Sequence, residues 1–176
     1  MDIYGDSIYI HVSSKDSAAY FPENRADNFR IKLAKRLELK GVWKIAICEI
    51  NVSDVILRRP VVVVKRADGD SEDDNDDQKT DVKMNVDANG VDDDTVCIHC
   101  NVCTGLIVNG EQTRILRTLP LKKNQYKIYP IHYYCPLETQ NIDTIEFNIC
   151  KSNGTPLSFD AESGHVSMTL RLKRSC

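Results

Sequence analysis

The stretches Thr144-Ile-Glu-Phe-Asn-Ile149 and His165-Val-Ser-Met-Thr-Leu-Arg-Leu172 decide the fold class. Apolar and polar residues alternate strictly in both, so every second side chain of an extended chain points to the same side. A half-buried β-strand has this period of two residues, whereas an amphipathic helix has a period of about 3.6. Both stretches are therefore predicted to be strands that lay one face on a core.

Similar short runs, bounded by turn residues, recur from one end of the chain to the other. The run Val42-Trp-Lys-Ile-Ala-Ile-Cys-Glu-Ile50 is longer and more continuously apolar, which is typical of a central strand. Asn153 and Gly154, between the two opening stretches, favour a turn with positive φ. The other predicted strands are residues 7–12, 29–33, 60–65, 95–102, 113–119 and 125–134.

Eight to nine short strands are too many for one flat sheet in a chain of 176 residues, and they suit two packed sheets. The connections at residues 14–28 and 138–143 are too long for tight hairpins, which favours Greek-key or jelly-roll topology. The predicted fold is all-β, an antiparallel β-sandwich that forms a single jelly-roll domain over residues 1–176.

The charge of the chain is unevenly distributed. Twelve acids and two lysines lie between Asp68 and Asp94, a local balance of −10, while the remainder has 21 basic and 14 acidic residues, or +7. A run of like charge with few apolar residues cannot build a core. Residues 67–94 are therefore predicted to be an acidic, flexible loop on a basic body.

Within that loop, Asn85-Val-Asp-Ala-Asn-Gly-Val-Asp-Asp-Asp94 resembles the start of a calcium-binding EF-hand loop. Asp87, Asn89 and Gly90 fit its third, fifth and sixth positions, but Val96 stands at the twelfth, which requires a bidentate Glu. The residues that follow have the pattern of a strand and not of a helix. We therefore predict no EF-hand, and expect Val96 to be the first buried residue of the next strand.

Cys97, Cys100 and Cys103, with His99 among them, have a spacing that suggests zinc. On one strand, however, Cys100 would point away from the other three, and no Gly or Pro provides a turn between them. Buried thiols acting as small hydrophobic groups are the favoured alternative. The histidines are scattered, at positions 11, 99, 132 and 165.

The chain also has no Walker loop, G-x-G-x-x-G, H-E-x-x-H or G-x-S-x-G motif. A cupin-like metalloenzyme would need paired histidines that are not present. The sequence therefore offers no catalytic residue, no cofactor-binding residue and no metal-ligand set. The chain is predicted not to be an enzyme and to have no cofactor.

Basic residues form three clusters, which could neutralise the phosphates of a nucleic acid or be the solvated faces of half-exposed strands. We favour the second interpretation. The clusters are Arg30, Lys32, Lys35, Arg36 and Lys40; Arg58, Arg59, Lys65 and Arg66; and Arg171, Lys173 and Arg174. No run approaches the roughly 18 apolar residues of a membrane span, and the N-terminus has no signal-peptide pattern. We expect no membrane insertion, no secretion, and reduced cysteines.

Four passages carry a resemblance to a known family: residues 9–50, 96–121, 133–159 and 166–174. Its most specific parts are Tyr20-Phe-Pro-Glu-Asn24, Leu37-Glu-Leu-Lys-Gly-Val-Trp-Lys44, Cys48-Glu-Ile50, Leu116-Arg117 and Asp143-Thr-Ile-Glu-Phe147. These residues resemble the minor capsid, or penton, protein of Polinton/Maverick elements and adintoviruses, over about residues 7 to 174. The sequence departs from that family between Val64 and Thr95, where the acidic run is enlarged.

The resemblance implies a single jelly roll, in agreement with the strand pattern. It also implies a structural virion protein that forms homopentamers at icosahedral vertices, among double jelly-roll major capsid subunits, after assembly in the host nucleus or cytoplasm. The basic body would then help contact with packaged DNA. An alternative is a soluble jelly-roll binding module, lectin-like or TNF-like, that recognises a ligand with its loops.

Overall fold

The computed structural model describes residues 6–57, 95–105, 107–108 and 110–175. The described residues form eleven strands and no helix, and hence no helix that is long and apolar enough to cross a membrane. The strands are β1 (Ser7–Ser13), β2 (Asn28–Glu38), β3 (Trp43–Ser53), β4 (Thr95–Cys100), β5 (Ile107–Val108), β6 (Glu111–Gln112), β7 (Ile115–Pro120), β8 (Gln125–Ile128), β9 (Cys135–Pro136), β10 (Asn141–Lys151) and β11 (His165–Arg174).

The strands build two antiparallel sheets. The first sheet has the order β1-β11-β3-β8, and β9 pairs with the same edge of β3 as β8, farther along that strand. The second sheet has the order β2-β10-β4-β7. Consecutive long strands cross from one sheet to the other, except β4 and β7, which are neighbours in the second sheet. This order is that of a jelly roll. The predicted all-β, antiparallel jelly-roll sandwich is therefore confirmed.

The core lies between the sheets and follows the alternation seen in the sequence. In β11 the residues Val166, Met168, Leu170 and Leu172 are buried, while the residues between them face outward. In β10, on the opposite sheet, Phe147 is fully buried and its ring lies 5.2 Å from that of Phe29 on β2. Tilted aromatic pairs of this kind add to the free energy of hydrophobic burial.

A bulge adjusts the central strand β3 to this core. The pairing of β11 with β3 shifts between Thr169 and Leu170, so that Cys48 is an extra residue in β3. Because an extra residue reverses the alternation, Ile47 and Ile50 both reach the core. Gly41, with φ +89°, makes the turn into this strand, and Trp43 is buried with its indole N–H donating to the Lys40 carbonyl at 2.9 Å.

The connections gather at two ends of the sandwich. At one end the loop after β3 meets the loop before β11, where Val55 and Phe159 form a bridge, and the Asp54 N–H donates to the side chain of Asn124 at 2.7 Å. At the other end the Leu39 N–H donates to the Gln140 carbonyl at 2.8 Å. Asn153-Gly154 forms the predicted turn, with Gly154 at φ +82°.

The structure differs from the predicted strands in two places, and two further predictions lie where it describes no residues. The run 125–134 is wrong as one strand, because pairing stops at Ile128 and resumes at Cys135, and Pro130 has no N–H to donate. The hairpin of β5 and β6 was not predicted. The predicted strand at 60–65 and the acidic loop at 67–94 lie outside the described residues.

Candidate assembly surface

The cysteine cluster does not have the arrangement that a single strand predicts. β4 ends at Cys100, and a turn at Asn101 and Val102 brings Cys103 into the main core beside Cys100. Cys97 faces the other side, where it packs with Ile115 and Cys150. The prediction that Cys97 and Cys103 share a face was therefore wrong, since Asn101 can turn the chain without Gly or Pro.

Two of the core thiols have raised pKa values in this arrangement. The Cys103 thiol lies 3.4 Å from the Cys100 carbonyl, and contact with Cys100, together with burial, raises the pKa of Cys103 to about 12. Contact with Cys103 and burial also raise the pKa of Cys135. Because zinc binds the thiolate, these thiols would have to lose a proton at high cost. The described residues contain no cluster of three or more His, Cys, Asp or Glu that could hold a metal ion.

The four histidines lie apart from one another along the described strands and loops. His11 lies on β1, His99 on β4, and His165 begins β11, while His132 lies between β8 and β9. Burial lowers the pKa of His99. The EF-hand-like residues lie outside the described part of the chain, except that Val96 is buried in β4, as expected.

An interruption in one edge of the first sheet is the most distinctive surface feature. β3 pairs with β8 at Glu49–Val52 and with β9 at Lys44–Ile45. Between these pairings residues 130–134 form no ladder with β3, and hydrogen bonds to β3 hold the chain on either side of them. The Tyr129 N–H donates to the Cys48 carbonyl at 2.8 Å, and the Leu137 N–H donates to the Trp43 carbonyl at 2.9 Å.

This edge exposes a concentration of large apolar side chains, which we call the edge patch. Its members, between 60% and 70% exposed, are Tyr126, Ile128, Ile131 and Tyr133. Four of the ten large, exposed apolar side chains among the described residues thus lie within eight positions. Single exposed apolar residues are ordinary on protein surfaces, but a contiguous group of them is typical of an interaction site.

The base of the edge patch is fixed by stacking. The Arg117 guanidinium, from the edge strand β7 of the second sheet, lies 3.8 Å from the ring centroid of buried Tyr129 and 4.6 Å from that of Tyr133. The Lys127 amino group lies 5.2 Å from the Tyr129 ring. These cation–π contacts link the edges of the two sheets and orient Tyr133 before any partner binds.

The opposite edge of the sandwich consists of β1 and β2 and the loop at residues 14–27. The Asn24 side chain donates to the Arg30 carbonyl at 2.8 Å and accepts from the Arg30 N–H at 2.9 Å, which fixes the loop against β2. Arg30 also forms an ion pair with Glu23 and lies 4.5 Å from the Phe21 ring centroid. Tyr20 beside them is exposed, and β1 leaves one backbone edge unpaired among the described strands.

Four strands of the first sheet are linked across their outer face by polar side chains. His11 Nδ1 lies 3.3 Å from Thr169 Oγ1, which donates to Glu49 Oε1 at 2.6 Å, and the Tyr126 hydroxyl donates to Glu49 Oε2 at 3.2 Å. These two hydrogen bonds, Thr169 first, lower the pKa of Glu49. The contacts orient Tyr126 within the edge patch.

Similarity to a solved structure extends over this whole arrangement. The chain superposes on the crystal structure of the mavirus penton protein with a TM-score of 0.56, covering 95% of this chain and 99% of that one, at 10% sequence identity. The two proteins share a fold. At this identity the similarity with the mavirus penton concerns the fold and not individual residues. No family model and no curated protein matches the sequence.

The resemblance motifs have mostly structural positions. Trp43, Phe147 and Leu116 are buried, and Asn24 fixes a loop. Arg117 is the exception, because it supports the edge patch. The edge patch itself was missed from the sequence, since its residues were assigned to one long strand. Pro130 was the available signal, because a proline interrupts a strand ladder and is confined to edges or bulges.

Proposed function

We propose that this protein is a non-enzymatic capsid protein, a penton subunit that forms homopentamers at the vertices of an icosahedral capsid. Its partner would be a double jelly-roll major capsid protein, and its location the virion. The observation that carries the proposal is the match of fold to the mavirus penton over nearly the full length of both chains. In the same proposal, residues 67–94 form an acidic loop of a single jelly-roll domain.

The two edges of the sandwich would serve as the two sides of the ring contact. A closed ring of five needs a heterologous contact, in which one surface of each subunit meets a different surface of the next. We assign the edge patch to one side of that contact. The edge formed by β1, β2 and Tyr20 would be the other side.

The chemistry of the edge patch suits a contact that is stable but reversible. Full burial of a large apolar side chain stabilises by about 1.5–3 kcal/mol, part of which is offset by the entropy lost on association. The cation–π contacts of Arg117 reduce that loss, because Tyr133 is already oriented. Two tyrosines and two isoleucines fit the composition of interface centres, where aromatic residues are enriched.

Sedimentation velocity of matched variants tests the proposal. Ile131→Asp places a charge in the middle of the edge patch and should convert pentamers to monomers. Ile107→Asp makes the same change at an isoleucine that is 77% exposed on the hairpin of β5 and β6, and should leave the pentamer intact. Wild-type protein that remains monomeric with and without a major capsid protein, and binds a glycan column, would support the loop-binding module instead.

A further inference from the structure

The outer face of the first sheet has an unusual charge balance. The strands of this sheet contain a single acid, Glu49, against the basic residues Lys44, Lys127, Arg171, Lys173 and Arg174. Since core-facing residues alternate with outward ones, Lys44, Arg171 and Lys173 all lie on the outer face. They lie on β3 and β11, the two central strands, and not on an edge.

Two of these cations face each other directly. Lys44 and Lys173 are paired positions in the antiparallel register, so their Cβ atoms lie about 4.5–5.5 Å apart. Like charges placed opposite each other destabilise a sheet. Within the described residues no carboxylate forms an ion pair with either lysine. Among the described residues the repulsion between these two lysines is therefore unrelieved, and a bound anion would remove it.

The one acid in the strands of the sheet lies far from the lysine pair. Glu49 lies in the row of Thr169, two rows from Lys173, which is a distance of about 13 Å along the strands. That distance exceeds the Debye length of about 8 Å at physiological ionic strength. The Glu49 carboxylate is moreover engaged by Thr169 and Tyr126.

Arg171, the third cation, lies between the row of the lysine pair and the row of Glu49, and two contacts hold it in position. The Arg171 guanidinium donates to Ser7 Oγ at 3.2 Å and lies 5.4 Å from the ring centroid of Tyr9, which is exposed on β1. Arg171 is two residues from Lys173, so its row is about 7 Å from the lysine pair. Two nucleotides of one DNA strand span nearly the same axial distance, at about 3.4 Å each.

We propose that this basic face, which consists of Lys44, Arg171, Lys173 and Tyr9, binds the phosphate backbone of duplex DNA. Its three cations lie on β3 and β11, the two central strands, so they border no free strand edge that could pair with a peptide. Lysines act as point charges toward phosphates and read no bases, so binding is independent of sequence. The proposal rests on the proposed capsid function only for the source of the duplex, which is a packaged genome.

Fluorescence anisotropy with a 30-base-pair duplex of mixed sequence, from 50 to 200 mM salt, tests this assignment. Affinity falls as salt rises, and each lost phosphate contact makes the slope of log affinity against log salt less steep by about 0.9. Lys44→Gln/Lys173→Gln should therefore make the slope less steep by about two and weaken binding at every salt concentration. A duplex of unrelated sequence should give the same values.

The matched control is Lys122→Gln/Lys123→Gln. It removes the same charge from two exposed lysines in the loop between β7 and β8, outside the basic face, and should leave the slope unchanged. Equal slopes for the two double variants, or no binding by the wild-type chain, would overturn the proposal. So would tighter binding of polyglutamate than of the duplex, since the partner would then be an acidic protein segment.

Two further measurements distinguish DNA binding from a small-anion site and from the proposed capsid function. Inorganic phosphate at 10 mM should not displace the duplex, because a free anion lacks the charge density of a strand; displacement would reduce the face to a small-anion site. The oligomeric state of Lys44→Gln/Lys173→Gln should equal that of the wild type. A failure of DNA binding with intact pentamers thus counts against the basic face alone, and a failure of assembly counts against the proposed function.

Discussion

The two sheets of the sandwich are alike inside and different outside. On the second sheet Arg30 forms an ion pair with Glu23, and Lys32 forms one with Asp143, so these cations find carboxylates within the subunit. On the first sheet Lys44 and Lys173 face each other with no such partner in the described part of the chain. Two cations of the second sheet are therefore paired within the subunit, whereas the lysine pair of the first sheet has no such partner among the described residues.

The β2 edge of the second sheet and the β8/β9 edge of the first sheet differ as well. The second sheet ends in β2, an 11-residue strand whose flanking loop is fixed by Asn24. The first sheet ends in β8 and β9, of four and two residues, with the edge patch exposed between and beside them. Short, interrupted and bulged edges discourage nonspecific strand pairing. The first sheet thus exposes the edge patch along a short, interrupted edge, whereas a long strand forms the β2 edge of the second sheet.

The largest expected effect is the loss of stability when a buried side chain is truncated, and it should be similar for the inner faces of the two sheets. Phe147→Ala in the second sheet and Met168→Ala in the first remove fully buried side chains and should lower the free energy of unfolding by roughly 3–5 and 2–5 kcal/mol. Urea denaturation of the two variants measures both values. A loss below about 1 kcal/mol in either sheet would show that its inner face is not part of a tightly packed core.

A smaller effect should have opposite signs on the two outer faces. Lys44→Gln relieves the repulsion with Lys173 and should raise the free energy of unfolding by about 0.2–1 kcal/mol at low salt. Lys32→Gln removes the partner of Asp143 and should lower it by about 0–1 kcal/mol. Denaturation at 20 mM and 500 mM salt measures both, and screening should reduce both changes. Equal signs would contradict the difference between the faces.

The smallest effect concerns Glu49 and pH. Its pKa is lowered in the folded protein, chiefly by the hydrogen bond from Thr169 and then by that from Tyr126. Stability from such a group is present above the pKa of the unfolded chain and is lost as pH falls through the folded pKa. Glu49→Gln should therefore melt below the wild type at pH 7 and approach it in acid. A difference that grows on acidification would refute this assignment.

The sequence predicted the regular part of this structure well. The strict alternation in β10 and β11 and the apolar run of β3 identified their strands, because a half-buried sheet imposes that period. The bulge at Cys48 and the turn after Cys100 could not be predicted, since they depend on register with neighbouring strands. The edge patch escaped for a related reason, because exposed and buried tyrosines look the same in a sequence.

Only part of the basic face could be predicted from the sequence. The cluster of Arg171, Lys173 and Arg174 was recognised, but Lys44 was not, because the two lysines are brought together by a pairing over more than a hundred residues. The favoured interpretation, a solvated strand face, agrees with Arg30 and Lys32 of the second sheet, which have partners within the subunit. For Lys44 and Lys173, which have no ion-pair partner among the described residues, we propose contact with DNA instead.

Native mass spectrometry of the full chain measures its oligomeric state directly. We expect a species of five times the 19.9 kDa chain mass, and we expect Ile131→Asp to reduce it to the single chain. Addition of a major capsid protein should give larger complexes that still contain the pentamer. A single 19.9 kDa species at every concentration and with that partner, or a ring of another number of subunits, would contradict the proposed pentamer.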